Sequence, residues 1–259
     1  MNDPTRPRPI RNPALFSGLL TVATLVPWTL LRAQTPPSRP GTGALEPPLA
    51  FRAAVEAGTR STDGRPGRGH WSNRADYRID ATLDPASALL SGRETVTYHN
   101  RSPDALDRIL FHLDQNVYAP GARRNRRVPV TGGVELGEVR VDGRDVRPRH
   151  PGSGYYETLT LLEIPLPSAL EPGGTATLEL QWSFTVPPAP TFRNGDLNGE
   201  VLAVGEWYPR VAVYDDVYGW DRTPYLGDGE FYLEYGNFDV SLTLPAGWLV
   251  GATGTLRNP

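Results

Sequence analysis

The strongest constraint on this chain is a set of apolar residues recurring at every second position. Leu178, Leu180, Trp182, Phe184 and Val186 alternate with Glu179, Gln181, Ser183 and Thr185. Tyr77, Ile79, Ala81 and Leu83 alternate with Arg78, Asp80 and Thr82, and Phe238, Val240, Leu242 and Leu244 with Asp239, Ser241 and Thr243. Successive side chains of a strand point to opposite faces, so each run reads as a strand with one face in a core and one in water. Shorter candidates lie at Glu94–His99, Ile109–Leu113, Val134–Val141, Thr158–Ile164, Val201–Val204 and Trp207–Tyr214. Turn formers separate them: Asp84-Pro85, Ser91-Gly92, Asn100 to Pro103, Asp142-Gly143, Pro172-Gly173-Gly174 and Pro245-Ala246-Gly247. Gly and Pro number 27 each among 259 residues, which favours short strands over long helices. No amphipathic helix longer than three turns and no internal repeat is visible. The fold class is all-β: an antiparallel sandwich or saddle of about nine short strands.

The β pattern begins only after residue 72. Arg6, Arg8 and Arg11 precede an apolar run from Ala14 to Leu31, and Ala33 offers a small residue where a signal peptidase would cut. Residues 1–33 therefore read as a signal peptide, and the protein as exported to a periplasmic or extracellular space. A retained anchor is the other reading, weakened by Pro27 and Arg32. Residues 34–72 are rich in Pro, Gly, Arg and Ser and read as a flexible linker, with one helical turn expected at Ala53 to Ala57. Residues 73–259 form the β domain. There is no Cys, so thiolate chemistry and disulfides are excluded. All 26 basic residues are Arg, which we read as coding bias, and the net charge of −3 gives no nucleic-acid footprint.

Catalytic signals are sparse. There is no Gly-x-Ser-x-Gly elbow, and His70, His99, His112 and His150 form no metal-binding spacing. His112 and Asp114 could share one face of a strand; a strand-end His bonded to its neighbours is the simpler reading. Asn194 to Glu200 looks like the opening of a calcium loop but has Gly205 at the twelfth position, so it reads as a hairpin turn. The basic run Arg123 to Arg127 lacks interleaved aromatics and reads as a solvated loop. The richest stretch is 206–234. It gathers Glu206, Asp215, Asp216, Asp221, Asp228, Glu230 and Glu234 with Trp207, Tyr208, Tyr214, Tyr218, Trp220, Tyr225, Phe231 and Tyr232. Such a mixture makes a recognition surface or an aromatic core with an acidic rim. Its carboxylates could hold a substrate ammonium.

Several phrases, in order, resemble one family. Leu90-Ser91-Gly92-Arg93-Glu94-Thr95-Val96-Thr97-Tyr98-His99-Asn100 is followed by Ser102-Pro103-Asp104-Ala105-Leu106. Then come Ile109 to Asn116, Val141-Asp142-Gly143, Ile164-Pro165-Leu166, Leu170-Glu171-Pro172-Gly173, Glu206-Trp207-Tyr208-Pro209-Arg210, Gly219-Trp220-Asp221 and Phe238 to Pro245. Together they are similar to the N-terminal β domain of the aminopeptidase N-like zinc metallopeptidases. The resemblance spans roughly Asp76 to Pro259. It implies a saddle of sheets packed on a thermolysin-like catalytic domain C-terminal to Pro259. That second domain would carry the His-Glu-x-x-His zinc motif, which this sequence lacks. The resemblance implies no cofactor in this chain, with zinc in the other domain. It also implies a chain inactive by itself and an aromatic face around Trp207 to Tyr235 left bare without its partner.

The family binds the peptide N-terminus partly through a Glu or Gln of this domain. Glu206 is the matching position, with Tyr208, Tyr214 and Trp220 implied as pocket walls. The chain departs from the family's Phe-Pro-Cys-x-Asp-Glu-Pro phrase, having Tyr208-Pro209-Arg210 and Tyr214-Asp215-Asp216 instead. A carboxylate paired with a nearby Arg such as Arg210 is the plain alternative for Glu206. At the level of the whole chain, a stand-alone secreted binding or scaffolding domain is the alternative. A carbohydrate-binding sandwich rests on composition alone.

Overall fold

The computed structural model describes residues 46–148, 154–229 and 231–257. The expected signal peptide, the first part of the expected linker, His150 and Glu230 lie outside the described residues. Two sheets carry the fold. The larger contains β1 (Arg74–Asp84), β2 (Leu89–His99), β4 (Glu135–Val141), β5 (Arg144–Asp145), β8 (Thr175–Thr185) and β14 (Phe238–Thr243). Its strand order is β14-β1-β2-β8-β4-β5. The smaller contains β3 (Leu106–His112), β6 (Tyr156–Thr158), β7 (Leu161–Leu170) and β11 (Arg210–Val211), in the order β11-β3-β7-β6. Two hairpins stand outside both sheets: β9 (Asn194–Leu197) with β10 (Val201–Val204), and β12 (Tyr214–Asp215) with β13 (Gly219–Trp220). Every pairing is antiparallel except β1 with β14, which runs parallel from Tyr77↔Phe238 to Thr82↔Thr243. The all-β fold expected from the alternation is the fold found.

The alternating residues make the core. In β8, Ala176, Leu178, Leu180, Trp182 and Phe184 are buried while their neighbours are not. They join Ile79, Val96 and Tyr98 of the larger sheet and Ile109, Phe111, Leu162 and Ile164 of the smaller in one continuous cluster. Each such side chain removed from water contributes about 1.5–3 kcal/mol, so the cluster dominates the stability of the domain. The turns follow their chemistry. Asp142-Gly143 and Asn198-Gly199 both have positive φ at each residue, the conformation that matches hairpin twist.

Two expectations about elements are corrected. Ser91-Gly92, read as a turn, lies inside β2. The Trp182 indole crosses the strand there, and a Cβ on Gly92 would come within 2.4 Å of its ring. Gly92 makes room for Trp182 rather than bending the chain. The strand expected over Trp207–Tyr214 is broken into β11 and β12. Glu206 has a left-handed backbone and Pro209 supplies no N–H, so the ladder cannot start before Arg210.

Part of the stretch read as linker is ordered. Helix α1 (Leu49–Glu56) ends in a closed cap: Gly58 N–H bonds Val55 C=O and Thr59 N–H bonds Ala54 C=O, with Gly58 at φ +76°. The chain after it folds back, Gly67 N–H reaching Thr59 C=O. The helix is longer than the single turn expected at Ala53 to Ala57.

Candidate functional site

The polar centre of the domain lies at the end of β3, where the smaller sheet takes in β11. Register puts Arg210 opposite His112. The next residues turn into a 3₁₀ helix, Asp114–Tyr118, all five buried. Asp114 Oδ2 accepts a hydrogen bond from Arg210 Nε at 2.7 Å and lies 2.5 Å from Nη2 in an ion pair, and both side chains are almost fully enclosed. Asp114 Oδ1 and Arg210 Nη1 are left without partners. The guanidinium also lies 4.4 Å from the ring centroid of Phe231, a contact suited to a delocalised cation. Burial pushes the Asp114 carboxyl up to about 6, with Arg210 pulling against it. Burial, and then the Arg210 charge, drives His112 down to about 4, so it is neutral at pH 7 beside Asp221, 3.7 Å away.

Glu206 sits beside this centre on a constrained backbone. Its φ of +46° is uncommon for a residue with a long side chain, and strain of this kind concentrates at functional positions. The conformation is fixed from behind. Gln115 Nε2 donates to the carbonyls of Gly205 and Glu206 at 2.8 and 3.2 Å, and Asn194 Oδ1 accepts the Gly205 N–H at 3.0 Å. The Glu206 carboxylate takes one bond, at 3.2 Å, from Arg193, while its second oxygen is buried without a partner. Arg193, not Arg210, is thus the arginine that Glu206 meets. Phe192, at the other end of the same hairpin, is likewise left-handed at φ +55°.

The four residues drawn from the sequence divide into two places. Tyr208 lies with Glu206 at the Arg210 centre. It packs edge-on against Tyr77, Trp207 and Phe238 at 5.5, 5.2 and 5.8 Å, and burial pushes its hydroxyl up to about 12. Tyr214 and Trp220 face each other across the β12–β13 hairpin at 5.2 Å. That pair continues into Trp71, stacked on Tyr214 at 5.8 Å, and Tyr98, 6.0 Å from Trp220. Tyr214 also donates its hydroxyl hydrogen to Asp104 at 2.8 Å.

Sequence reading missed Asp114–Arg210 as an ion pair, Gln115, Arg193 and, most of all, Glu94. Glu94 is fully enclosed, opposite Ile79 and Leu180 in the larger sheet, and neither of its oxygens has a partner. Burial raises its pKa well above the ordinary range, because an enclosed site disfavours the charged form. A charged residue at an alternating core position was the available signal. The basic run is fastened more than expected of a solvated loop. Arg124 donates to the carbonyls of Ala119 and Ala122, and Arg126 pairs with Asp228 and lies over Phe192.

Among the described residues no three His, Asp or Glu side chains converge on a point where a metal could bind. His112 and Asp114, the pair weighed as ligands, are turned to Asp221 and Arg210 respectively. These residues do not fit a zinc site. What they can do is present a fixed, partly satisfied carboxylate, Glu206, beside a buried cation–anion pair. No described helix is long and apolar enough to cross a membrane.

No family model and no curated protein matches the sequence. Solved structures of an M1 zinc metallopeptidase from Deinococcus radiodurans are similar to it. One is an alanine variant bound to a Tyr-Ser-Ala substrate, with 20% identity, 75% of this chain and 39% of that chain covered, and a TM-score of 0.38. A two-domain M1 zinc metallopeptidase variant bound to L-tryptophan gives the same identity and coverage, with a TM-score of 0.37. The unsubstituted enzyme gives 20%, 74%, 38% and 0.36. These are zinc metallopeptidases, the class whose N-terminal domain the sequence phrases resemble. The chain spans about two-fifths of the length of each.

Proposed function

We propose that this chain is the N-terminal β domain of an exported zinc aminopeptidase-like protein, and that it caps the active-site cleft and helps bind the free amino end of a peptide. The observation that carries this reading is Glu206: a carboxylate on a strained, hydrogen-bonded backbone, with one oxygen held by Arg193 and the other unpartnered. A substrate ammonium would supply the missing charge-assisted hydrogen bond. Gln115 and Asn194 would keep the carboxylate in position, and Tyr208 would wall the pocket. Tyr214 and Trp220, in their separate stack, would act as a second wall or as contact surface for the catalytic domain.

Zinc would belong to that catalytic domain. The peptide bond would be hydrolysed there, and this chain by itself would release no amino acid from peptides. Zinc-dependent release by the purified chain would overturn that part of the reading. In the protein joining this domain to its catalytic partner, Glu206→Ala should raise KM for substrates with a free amino end by about tenfold or more, the value of one hydrogen bond to a charged group. An unchanged KM would remove Glu206 from the site.

A further inference from the structure

The residues between Leu49 and Trp71 form a unit whose backbone is satisfied from within. Backbone bonds run from Arg52 N–H to Pro48 C=O, from Thr59 and Arg60 to Ala54, from Ser61 to Arg65, from Gly67 to Thr59 and from Gly69 to Gly58. No backbone bond found in this segment reaches a strand of either sheet. A Cβ on Gly67 would come within 2.1 Å of the Gly58 carbonyl oxygen, so the fold-back is tight as well as closed. The segment meets the rest of the domain through side chains. Arg60 grips Asp216 with Nε at 3.0 and 2.9 Å and Nη2 at 2.7 Å, and the Asp216 side chain is only 3% exposed. Trp71 stacks on Tyr214.

Both contacts fall on one element. Tyr214 and Asp216 belong to the β12–β13 hairpin, which pairs with neither sheet and has only two residues in each strand. So short a hairpin does not hold its place by its own hydrogen bonds. We propose that residues 49–71 are a strap that sets the position of this hairpin, and that the strap can lift off without opening a sheet. Arg60 and Trp71 act as positioning residues, through Asp216 and Tyr214. The hairpin is otherwise tied by Tyr214 to Asp104, Trp220 against Tyr98, Tyr232 hydroxyl to Asp215 and Asp221 N–H to the Val213 carbonyl, and its Tyr214 and Trp220 rings rest against the core. A surface that must be either fixed or released is well served by such a tether, because bidentate arginine–carboxylate contacts are strong yet reversible. The proposal does not depend on the peptidase reading.

Amide hydrogen exchange of the whole chain tests it. Arg60→Ala and Trp71→Ala should each speed exchange at residues 213–221 by about tenfold or more, as expected when a hydrogen bond to a charged group is lost. The amides of β1, β2 and β8 should keep their protection. The reciprocal pair Arg60→Asp with Asp216→Arg should recover part of the loss. Unchanged exchange at 213–221, or an equal loss of protection across the sheets, would overturn the proposal. The milder Arg60→Lys and Trp71→Phe, which keep charge and ring, give the same test with smaller local increases if either alanine variant fails to fold.

Discussion

Arg210 and Asp114 meet at the centre of the domain through a hydrogen bond and an ion pair in an enclosed site. Removing one partner leaves a buried charge, so Asp114→Ala should cost about 3–5 kcal/mol in urea unfolding at pH 7. The pH dependence is sharper. Asp114 has its folded pKa raised from 3.8 to about 6, so its contribution is full below pH 3.8 and is lost as pH rises through 6. His112 is lowered from 6.5 to about 4, so its contribution is full above pH 6.5 and is lost as pH falls through 4. The two oppose each other across one window. His112→Asn should therefore grow more stable, relative to the parent, as pH falls from 6.5 to 4. Identical pH slopes for variant and parent would refute the assignment. Glu94 offers a simpler case. Replacing an unpartnered buried carboxyl by Leu should raise stability by about 1–3 kcal/mol at pH 8, read as a higher urea midpoint. Glu206 and Tyr208 were singled out in the sequence because a family phrase contains them. The Asp114–Arg210 pair was not, since its members stand 96 positions apart and only register brings them together.

At the level of elements, the period-two runs located β1 and β8 because burial of one face imposes that period directly; the same period located β14, but the buried face expected there is exposed. Interruptions were harder to see. Gly92 looked like a turn because glycine usually marks one, yet its role depends on Trp182, which lies on the strand beside it. Gly92→Ala should cost about 1–3 kcal/mol through overpacking. Trp182→Leu should relieve much of that cost when the two are combined. Additive losses would mean that the indole is not what Gly92 accommodates. The break at Glu206 to Pro209 was hidden for a similar reason: the left-handed glutamate is held by Gln115 of the 3₁₀ helix and Asn194 of β9. Residues 49–71 carried a linker's composition, but they close backbone bonds among themselves, and Arg60 and Trp71 find partners beyond position 210.

Across the whole molecule, large apolar side chains are left exposed along the chain's later half. β14 is exposed at all six positions, although Phe238, Val240 and Leu242 alternate as a buried strand would. Tyr218, Tyr232, Leu233, Tyr235, Leu249, Val250 and Leu256 are exposed as well, while Trp207 is partly covered. Where such residues join into one patch they would suit a partner surface, since large contiguous apolar patches are rare on monomers. The purified chain should self-associate with rising concentration in sedimentation, and Val240→Thr with Leu242→Thr should weaken this without lowering the urea midpoint. The proposed partner is a catalytic domain, and the reading frame beyond codon 259 tests that claim most directly. The account predicts an open frame encoding His-Glu-x-x-His and a downstream Glu. A stop codon, or a continuing frame without those zinc ligands, would contradict it and leave a stand-alone binding domain.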